Sequence, residues 1–347
     1  MATSDSFDAA AFLPQGWYDA LLGARLHSPA WVYEEADART RRPALAPDGR
    51  LFILAADHPA RMVTRAGPDP LAMGDRRALL ARILRVLSAP GVDGLMATPD
   101  VLEEVLLLSH LARRCTSRGW LDGKVLIGSM NRGGLAGAVF ELDDRMTAFT
   151  VAGLRRLGCD GAKVLVRIDL QDAATAATLE ACARAIDACH EAGLEVFLEA
   201  FQVERTRAGL RARRDADSLV QVCGVASALG TSSLRTWLKL PYGPGFARVA
   251  AATTLPILLL GGEVRERPEA VLQELAEGMG AGPTVRGALL GRNVSFAQGE
   301  DPRAVAAAAA AVVHAGASVE EALAVLARER GRDMDLLARI GPPGGVE

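Results

Sequence analysis

Lysine is rare in this chain of 347 residues, and its positions indicate where amine chemistry could occur. Lys and Arg together number 39, and all but Lys124, Lys163 and Lys239 are arginines. Arginine replaces lysine as a cation, but its guanidinium stays protonated and is no amine nucleophile. A lysine whose pKa is lowered can attack a carbonyl carbon and form a Schiff base. We expect Lys124, just before a strand, to be solvated, which leaves Lys163 and Lys239 as candidates.

Lys239 lies in an alternating segment, 234–241, with the sequence LRTWLKLP. One face carries Leu234, Thr236, Leu238 and Leu240, and the other carries Arg235, Trp237 and Lys239. The first set is suited to packing against helices, so we assign the second set to the opposite, inward-pointing face of the strand. We expect desolvation there to lower the pKa of the Lys239 amine, and Trp237 to contact the substrate. Lys239 is therefore the predicted Schiff-base residue.

Lys163 and Arg167 share a face of the segment 161–169, opposite its valines. We expect Lys163 to lie deeper in the interior and Arg167 to lie nearer the mouth, where it would bind substrate. A second cation close to a lysine amine lowers the pKa of that amine, which is a way to activate it. The alternative is that Lys163 only forms an ion pair with Glu195 or Glu199.

Two carboxylates complete the predicted catalytic set. Carbon–carbon cleavage through an iminium needs an acid/base group at the substrate hydroxyl and another that moves protons at the nitrogen. Asp57 follows an apolar strand segment, and Glu199 lies within another, each on the face that alternation assigns to the interior. The alternative is that each carboxylate is only an ion-pair partner of Lys163 or Arg167.

Glycines follow the last two strand segments, and they indicate an anion site. Gly261 and Gly262 follow one segment, and Gly291, Arg292 and Asn293 end the next. Glycine lets backbone N–H groups approach a phosphate, a following helix N-terminus adds its dipole, and an arginine adds a charge. The alternative for either turn alone is an ordinary connection from strand to helix.

The elements that must position these residues alternate between short apolar strands and longer helical stretches. The predicted strands are 51–59, 91–99, 124–132, 161–169, 194–201, 234–241, 256–263 and 285–293. Eight such strand–helix units predict a closed (β/α)8 TIM barrel, an α/β fold. An open doubly wound sheet would instead place a glycine-rich G-x-G-x-x-G turn after its first strand. Asp57, His58 and Pro59 stand there, so the barrel is favoured.

Two extensions flank the predicted barrel of residues 51–300. Residues 1–50 are expected to form a helix and a short hairpin that close the barrel bottom. Residues 301–347 are expected to form C-terminal helices and a flexible tail, GPPGGVE. The spacing Ser318-x-x-Glu321 predicts a capping box at the start of the last helix.

Composition excludes several classes of protein and partner. The net charge of −3 argues against nucleic-acid binding, and no stretch is long and apolar enough to predict a membrane span. The five cysteines include no C-x-x-C pair, and no His, Cys or carboxylate cluster has metal-ligand spacing. We therefore expect a cytoplasmic protein without a metal or other cofactor. A homo-oligomer of undetermined size is also expected.

These segments resemble the class I, Schiff-base aldolases of the archaeal-type fructose-bisphosphate and tagatose-bisphosphate branches. Asp57-His58 resembles their Asp-His-Gly, with Pro59 in place of glycine, and Lys239 occupies the position of their Schiff-base lysine. The other matching segments are Gly161-Ala162-Lys163 and Gly291-Arg292-Asn293. The resemblance spans about residues 50–300 and implies a metal-independent lyase acting on a phosphorylated keto-sugar or keto-acid.

The chain is also similar to a deoxyribose-phosphate-aldolase-like branch found in actinobacterial inositol-catabolism clusters. That similarity implies cleavage of 5-dehydro-2-deoxygluconate 6-phosphate into dihydroxyacetone phosphate and malonic semialdehyde. Two other hypotheses remain. One is an isomerase or synthase that uses Asp57 or Glu199 as base without a Schiff base, and the other is a non-catalytic barrel that binds a sugar phosphate. Borohydride reduction separates them, because only a Schiff base leaves substrate covalently attached.

Overall fold

The structure is a computed structural model, and it describes residues 7–206, 209–262, 265 and 267–342. Residues 343–347, most of the expected flexible tail, lie outside the described residues. In the part of the chain that the structure describes, no helix combines the length and the apolar character needed to cross a lipid bilayer.

Eight parallel strands form a closed barrel, as the sequence predicts. The strands in chain order are β1 (Leu51–Ala55), β2 (Gly94–Ala97), β3 (Val125–Ser129), β4 (Gly161–Ile168), β5 (Glu195–Thr206), β6 (Gly209–Ala212), β7 (Thr236–Pro241), β8 (Ile257–Leu260) and β9 (Val285–Leu290). All but β6 belong to the barrel, which closes because β1 pairs with both β2 and β9. The (β/α)8 prediction is confirmed.

Helices cover the barrel and form most of the described parts of the two extensions. They are α1 (Ala9–Phe12), α2 (Gln15–His27), α3 (Trp31–Ala38), α4 (Arg76–Leu87), α5 (Pro99–Thr116), α6 (Val151–Arg156), α7 (Ala174–Glu191), α8 (Ala216–Ser227), α9 (Phe246–Ala250), α10 (Pro268–Met279), α11 (Arg292–Ser295), α12 (Pro302–Ala310), α13 (Val319–Glu329) and α14 (Leu336–Ile340). Side-chain N-caps mark the starts of helices: the Asp75 and Asp215 side chains accept hydrogen bonds from backbone N–H groups at the starts of α4 and α8. The predicted capping box of Ser318 and Glu321 is present.

Alternation along each strand separates two apolar cores. Residues of the outward faces, such as Val164, Leu238 and Leu240, pack under the helices. A smaller cluster fills the lower lumen with Leu51, Ile53, Ala55, Met96, Val125, Ile127, Phe197, Leu258 and Leu289. Because this plug occupies the lumen near the strand starts, the cavity is left at the carboxyl ends of the strands.

The two extensions pack together and against the barrel. Residues 9–38 form three helices, so the hairpin expected within residues 1–50 is wrong for the described residues. Leu45 and Ala46 do pack against the lumenal plug at the barrel bottom, as expected. The Trp17 Nε1 donates to the Leu337 carbonyl oxygen at 2.9 Å, which joins α2 to α14. The eighth barrel helix, α12, begins at Pro302, beyond the expected barrel end at residue 300.

One element was absent from the sequence prediction. Strand β5 continues past residue 201, its expected end, and pairs with the antiparallel β6 in a hairpin above the barrel mouth. The hairpin sequence is polar and rich in arginine, so it carries no buried apolar face to reveal it.

Candidate active site

The four predicted catalytic side chains meet inside the barrel, in a row of alternating charge. Lys163 Nζ lies 3.2 Å from Asp57 Oδ2 and 2.6 Å from Glu199 Oε2. Lys239 Nζ lies 3.0 Å from Glu199 Oε1. Strand register accounts for the contact between Lys239 and Glu199, because Glu199 of β5 stands opposite Lys239 of β7. The ion pairs proposed as the alternative for Lys163 and Glu199 are thus present, within the same cluster as Lys239.

Asp57 is held at the back of this row. Its side chain is buried, accepts a hydrogen bond from Ser129 Oγ at 2.8 Å and forms an ion pair with Arg132. Burial raises the pKa of the Asp57 carboxyl, but the cations of Arg132 and Lys163 outweigh it and hold that pKa well below its usual range. Asp57 is therefore an ionised anchor for the cations around it.

Glu199 bridges the two lysines as a carboxylate. Burial raises the pKa of Glu199, but the ammonium groups of Lys163 and Lys239 lower that pKa by a larger amount, so it lies at about 2. Burial lowers the pKa of Lys163 to about 8, although Asp57 and Glu199 oppose the shift. The cluster thus contains a carboxylate whose basicity depends on the charge of its neighbours.

A cavity of about 280 Å³ opens above the row, and it distinguishes the two lysines. Lys239 and Glu199 line it, whereas the Lys163 side chain is 1% exposed and lies behind Glu199. The other lining residues are Ala55, His58, Val63, Phe201, Ala212, Arg214, Pro241, Leu260, Gly261, Gly262, Leu289, Gly291 and Arg292. Lys239 is the lysine that a small molecule in this cavity can reach.

The predicted anion turns border the same cavity. Gly261 and Gly262 follow β8, and Gly291 precedes the short helix α11, which begins at Arg292. The Arg292 Nη1 donates to the Arg65 carbonyl oxygen at 2.8 Å. Asn293 is buried beneath these turns, where its Oδ1 accepts from the Arg265 backbone at 3.0 Å, so it supports the turn rather than lining the cavity.

Two predicted substrate-binding residues lie elsewhere. Trp237 stacks on Phe197, with ring centroids 6.1 Å apart, and packs against the lumenal plug below Lys239. It has the predicted orientation, but two residues before Lys239 it is too deep to line the cavity. Arg167 points toward the loop after β3, where it forms an ion pair with Glu141 and donates to the Gly134 carbonyl oxygen at 3.2 Å. The structure therefore does not bring Trp237 or Arg167 to the cavity.

Three residues around the site were missed or undervalued in the sequence. Arg132 and Arg214 follow strands, where alternation no longer predicts orientation, so only the loop conformation reveals them. His58 was not among the predicted site residues, yet it lines the cavity beside Gly291. Burial lowers the pKa of His58 to about 3, so its imidazole is neutral.

The lysine at the barrel bottom and the cysteines are apart from this site. Lys124 was expected to be solvated, but it is half-buried, and its Nζ donates to the Val92 carbonyl oxygen at 2.6 Å. All five cysteines are free, and all but Cys115 are buried. Within the described residues, no three His, Cys, Asp or Glu side chains are placed to hold a metal ion.

The fold is a TIM barrel, and it is similar to the barrels of solved fructose-bisphosphate aldolases. A Schiff-base-forming fructose-1,6-bisphosphate aldolase matches with a TM-score of 0.53 at 20% identity, covering 81% of this chain and 99% of that one. A fructose-bisphosphate aldolase from Slackia heliotrinireducens matches with a TM-score of 0.61 at 16% identity, covering 88% and 92%. At these identities the likeness establishes the fold.

A narrower relationship is established by sequence. The Cgl0159-like family matches residues 49–312, and the chain belongs to that family. The crystal structure of Cgl0159 from Corynebacterium glutamicum is 40% identical, with a TM-score of 0.81 over 88% of this chain and 98% of that chain. No curated protein sequence is detectably similar to this chain.

Proposed function

We propose that this protein is a class I aldolase, a carbon–carbon lyase that cleaves a phosphorylated keto-sugar or keto-acid through a Schiff base on Lys239. The observation that carries the proposal is the position of Lys239. Its Nζ borders the cavity, 3.0 Å from a carboxylate, and the glycine turns lie across the same cavity. An amine, a proton acceptor and the proposed anion site thus surround one cavity.

The first half of the reaction forms the iminium. Glu199 accepts a proton from the Lys239 ammonium, and the free amine adds to the substrate ketone to give a carbinolamine. Glu199 then returns the proton to the carbinolamine oxygen, which leaves as water. While the nitrogen is neutral, Glu199 faces one ammonium group instead of two, so its pKa rises and its protonation becomes easier.

The second half breaks the carbon–carbon bond. A base removes the proton of the hydroxyl that is β to the iminium carbon, the bond breaks, and its electron pair moves to the nitrogen to give an enamine. The aldehyde product leaves, the enamine carbon is protonated, and water hydrolyses the iminium to release the ketone product. Among the described residues, Glu199 is the carboxylate that lines the cavity, so it is the acid/base in this proposal. Asp57 and Lys163 hold Glu199 in place and set its charge.

The anion turns support a phosphorylated substrate. Barrel enzymes bind phosphate at the loops after the seventh and eighth strands, with a short extra helix behind them. Gly261, Gly262, Gly291 and Arg292 stand at that place here. The sequence resemblance suggests 5-dehydro-2-deoxygluconate 6-phosphate, whose C5 ketone is one carbon from its phosphate. Its cleavage would give dihydroxyacetone phosphate and malonic semialdehyde.

Borohydride trapping with a ketose phosphate tests the proposal. We expect incubation with dihydroxyacetone phosphate and sodium borohydride to add one reduced ligand mass to the intact protein, and Lys239→Arg to abolish the adduct. Chelation with EDTA should leave both adduct and turnover unchanged, because the iminium serves as the electron sink that a metal would otherwise provide. Turnover without any trapped adduct would favour the isomerase or synthase hypothesis. Activity lost on chelation and restored by a divalent metal would contradict the Schiff-base mechanism.

A further inference from the structure

The hairpin of β5 and β6 is followed by an arginine that lines the cavity. Ala212, the last residue of β6, and Arg214 both line the cavity that contains Lys239. Arg214 also lines a wider recess of about 690 Å³ outside the hairpin, together with Arg211 and Arg265. Because it borders both spaces, the Arg214 side chain lies at the entrance to the catalytic cavity.

Arg214 differs from its neighbours on the hairpin in how its charge is balanced. Arg213 Nε lies 3.1 Å from Asp215 Oδ2, Arg205 Nη2 lies 3.0 Å from Asp172 Oδ2, and Arg211 is paired with Glu204. Within the described residues, the Arg214 guanidinium has no hydrogen-bond or ion-pair partner. The positive charge of Arg214 is therefore available at the cavity, whereas the charges of its three neighbours are balanced by carboxylates.

The Arg214 guanidinium packs directly on the anion turn. A Cβ placed on Gly262 would lie 2.6 Å from Arg214 Nη2, so a side chain there would displace the guanidinium from this position. A Cβ on Gly243 would clash with the Arg214 carbonyl oxygen, so the loop after β7 holds the backbone of Arg214 closely. The guanidinium is thus placed over Gly262, at a position that nothing in the strand pattern predicts.

We propose that Arg214 is a specificity residue of the anion site and makes that site select a dianionic phosphate ester over an uncharged group. The inference deepens the proposed function, because it rests on a ketone substrate at Lys239. Guanidinium binds phosphate oxygens through two parallel charge-assisted hydrogen bonds. A phosphate monoester carries close to two negative charges at neutral pH, so a second cation beside Arg292 strengthens its binding most.

The test compares two ketoses that differ only in the phosphate. The concentration of dihydroxyacetone phosphate that gives half-maximal borohydride trapping should rise about ten- to hundred-fold in Arg214→Ala. The same measurement with dihydroxyacetone should not change. Arg213→Ala is the matched control, because it removes a neighbouring arginine whose partner is Asp215, and it should behave as the unsubstituted protein with both ketoses. Equal melting temperatures of the three proteins show that the fold is intact.

Two results would overturn the assignment of Arg214. One is an unchanged half-saturating concentration of dihydroxyacetone phosphate, and the other is an equal weakening for both ketoses. If neither ketose is trapped even by the unsubstituted protein, the Schiff-base proposal fails, and calorimetric binding of inorganic phosphate then decides on Arg214 separately. Binding at least tenfold weaker in Arg214→Ala than in Arg213→Ala supports the site. Equal binding by the two variants, or no binding by the unsubstituted protein, contradicts it.

Discussion

At the scale of single residues, Glu199 makes the two lysines unequal. Its Oε2 contacts Lys163 at 2.6 Å, and its Oε1 contacts Lys239 at 3.0 Å, so one carboxylate serves both ammonium groups. Lys163 also has Asp57 as a partner, whereas Lys239 faces the cavity. Lys163, whose charge is balanced by two carboxylates, is suited to a structural and electrostatic role. Lys239, at the cavity wall, is suited to nucleophilic attack through its neutral amine.

Substitution of Lys163 by arginine should separate these roles. Lys163→Arg keeps a cation beside Glu199, so we expect a trappable adduct to remain. The larger guanidinium disturbs the position of Glu199, and turnover should fall by roughly 10²-fold, the lower range for lost acid–base catalysis. Steady-state kinetics and adduct mass measure the two effects, and a melting curve controls for overpacking at this buried position. Complete loss of adduct in a folded Lys163→Arg protein would contradict the division of roles.

Strand alternation alone located most of this site. Lys163, Glu199 and Lys239 are lumenal because each lies on the polar face of a strand whose other face is aliphatic, and that pattern is visible without a structure. Depth is harder to predict, and Trp237 shares a face with Lys239 yet packs below the cavity. Arg132 and Arg214 lie in loops, where orientation depends on contacts distant in sequence rather than on periodicity.

At the scale of elements, a π-helical turn after α12, Ala311–Ala315, is tied to the bottom of the barrel by His314. The His314 Nδ1 lies 2.7 Å from Asp48 Oδ2, and its Nε2 lies 3.0 Å from Asp93 Oδ2. Asp93 in turn accepts a hydrogen bond from the Phe52 backbone of β1 at 2.6 Å. The bond to Asp93 raises the pKa of His314 against the effect of burial, to about 9.

This histidine makes stability depend on pH in a defined direction. A folded-state pKa of about 9 against an ordinary 6.5 means that the stabilisation is complete below about pH 6.5 and is lost as pH rises through about 9. We expect the unsubstituted protein to exceed His314→Gln by about 1–3 kcal/mol in unfolding free energy at pH 6, and by much less at pH 10. Urea unfolding at both values measures the difference. His27→Gln, at an exposed position, is the control, and a difference independent of pH would exclude a charged His314.

The hairpin shows why one element escaped prediction. The sequence of residues 203–212 is rich in charged side chains and does not alternate apolar with polar residues, so it lacks the apolar face by which the eight barrel strands were recognised. Antiparallel pairing of β5 with β6 satisfies the backbone there. The element that brings Arg214 to the cavity is thus the one with the weakest sequence signal.

At the scale of the whole molecule, a buried ion pair joins described residues of the two extensions to the barrel. Arg85 of α4 and Asp301, before α12, both have fully buried side chains, with Arg85 Nε 2.8 Å from Asp301 Oδ1. Asp301 Oδ2 also accepts from the Gly331 backbone at 2.9 Å, and the Arg85 guanidinium lies 5.2 Å from the ring centroid of Phe12 in α1. Residues of both extensions therefore meet at this one pair.

Removal of Asp301 should weaken the whole fold without altering the chemistry. Asp301→Ala leaves the Arg85 cation buried and unpaired, so the free energy of unfolding should fall by about 3–5 kcal/mol. Asp335→Ala, which removes an exposed carboxylate 3.4 Å from Arg339, should cost less than about 1 kcal/mol. Denaturant unfolding measures both. A loss for Asp301→Ala no larger than for Asp335→Ala would show that the pair does not stabilise the packing of the extensions on the barrel.

Peptide mapping of the borohydride-reduced adduct tests the central claim most directly, because it reports which nitrogen forms the Schiff base. After reduction with dihydroxyacetone phosphate, proteolysis and mass spectrometry should place the added mass on the peptide that contains Trp237, Leu238 and Lys239. Burial of Lys163 behind Glu199 predicts no label on the Gly161-Ala162-Lys163 peptide. A label on Lys163, or none on either lysine in a protein that turns over, would contradict the assignment of Lys239 as the nucleophile.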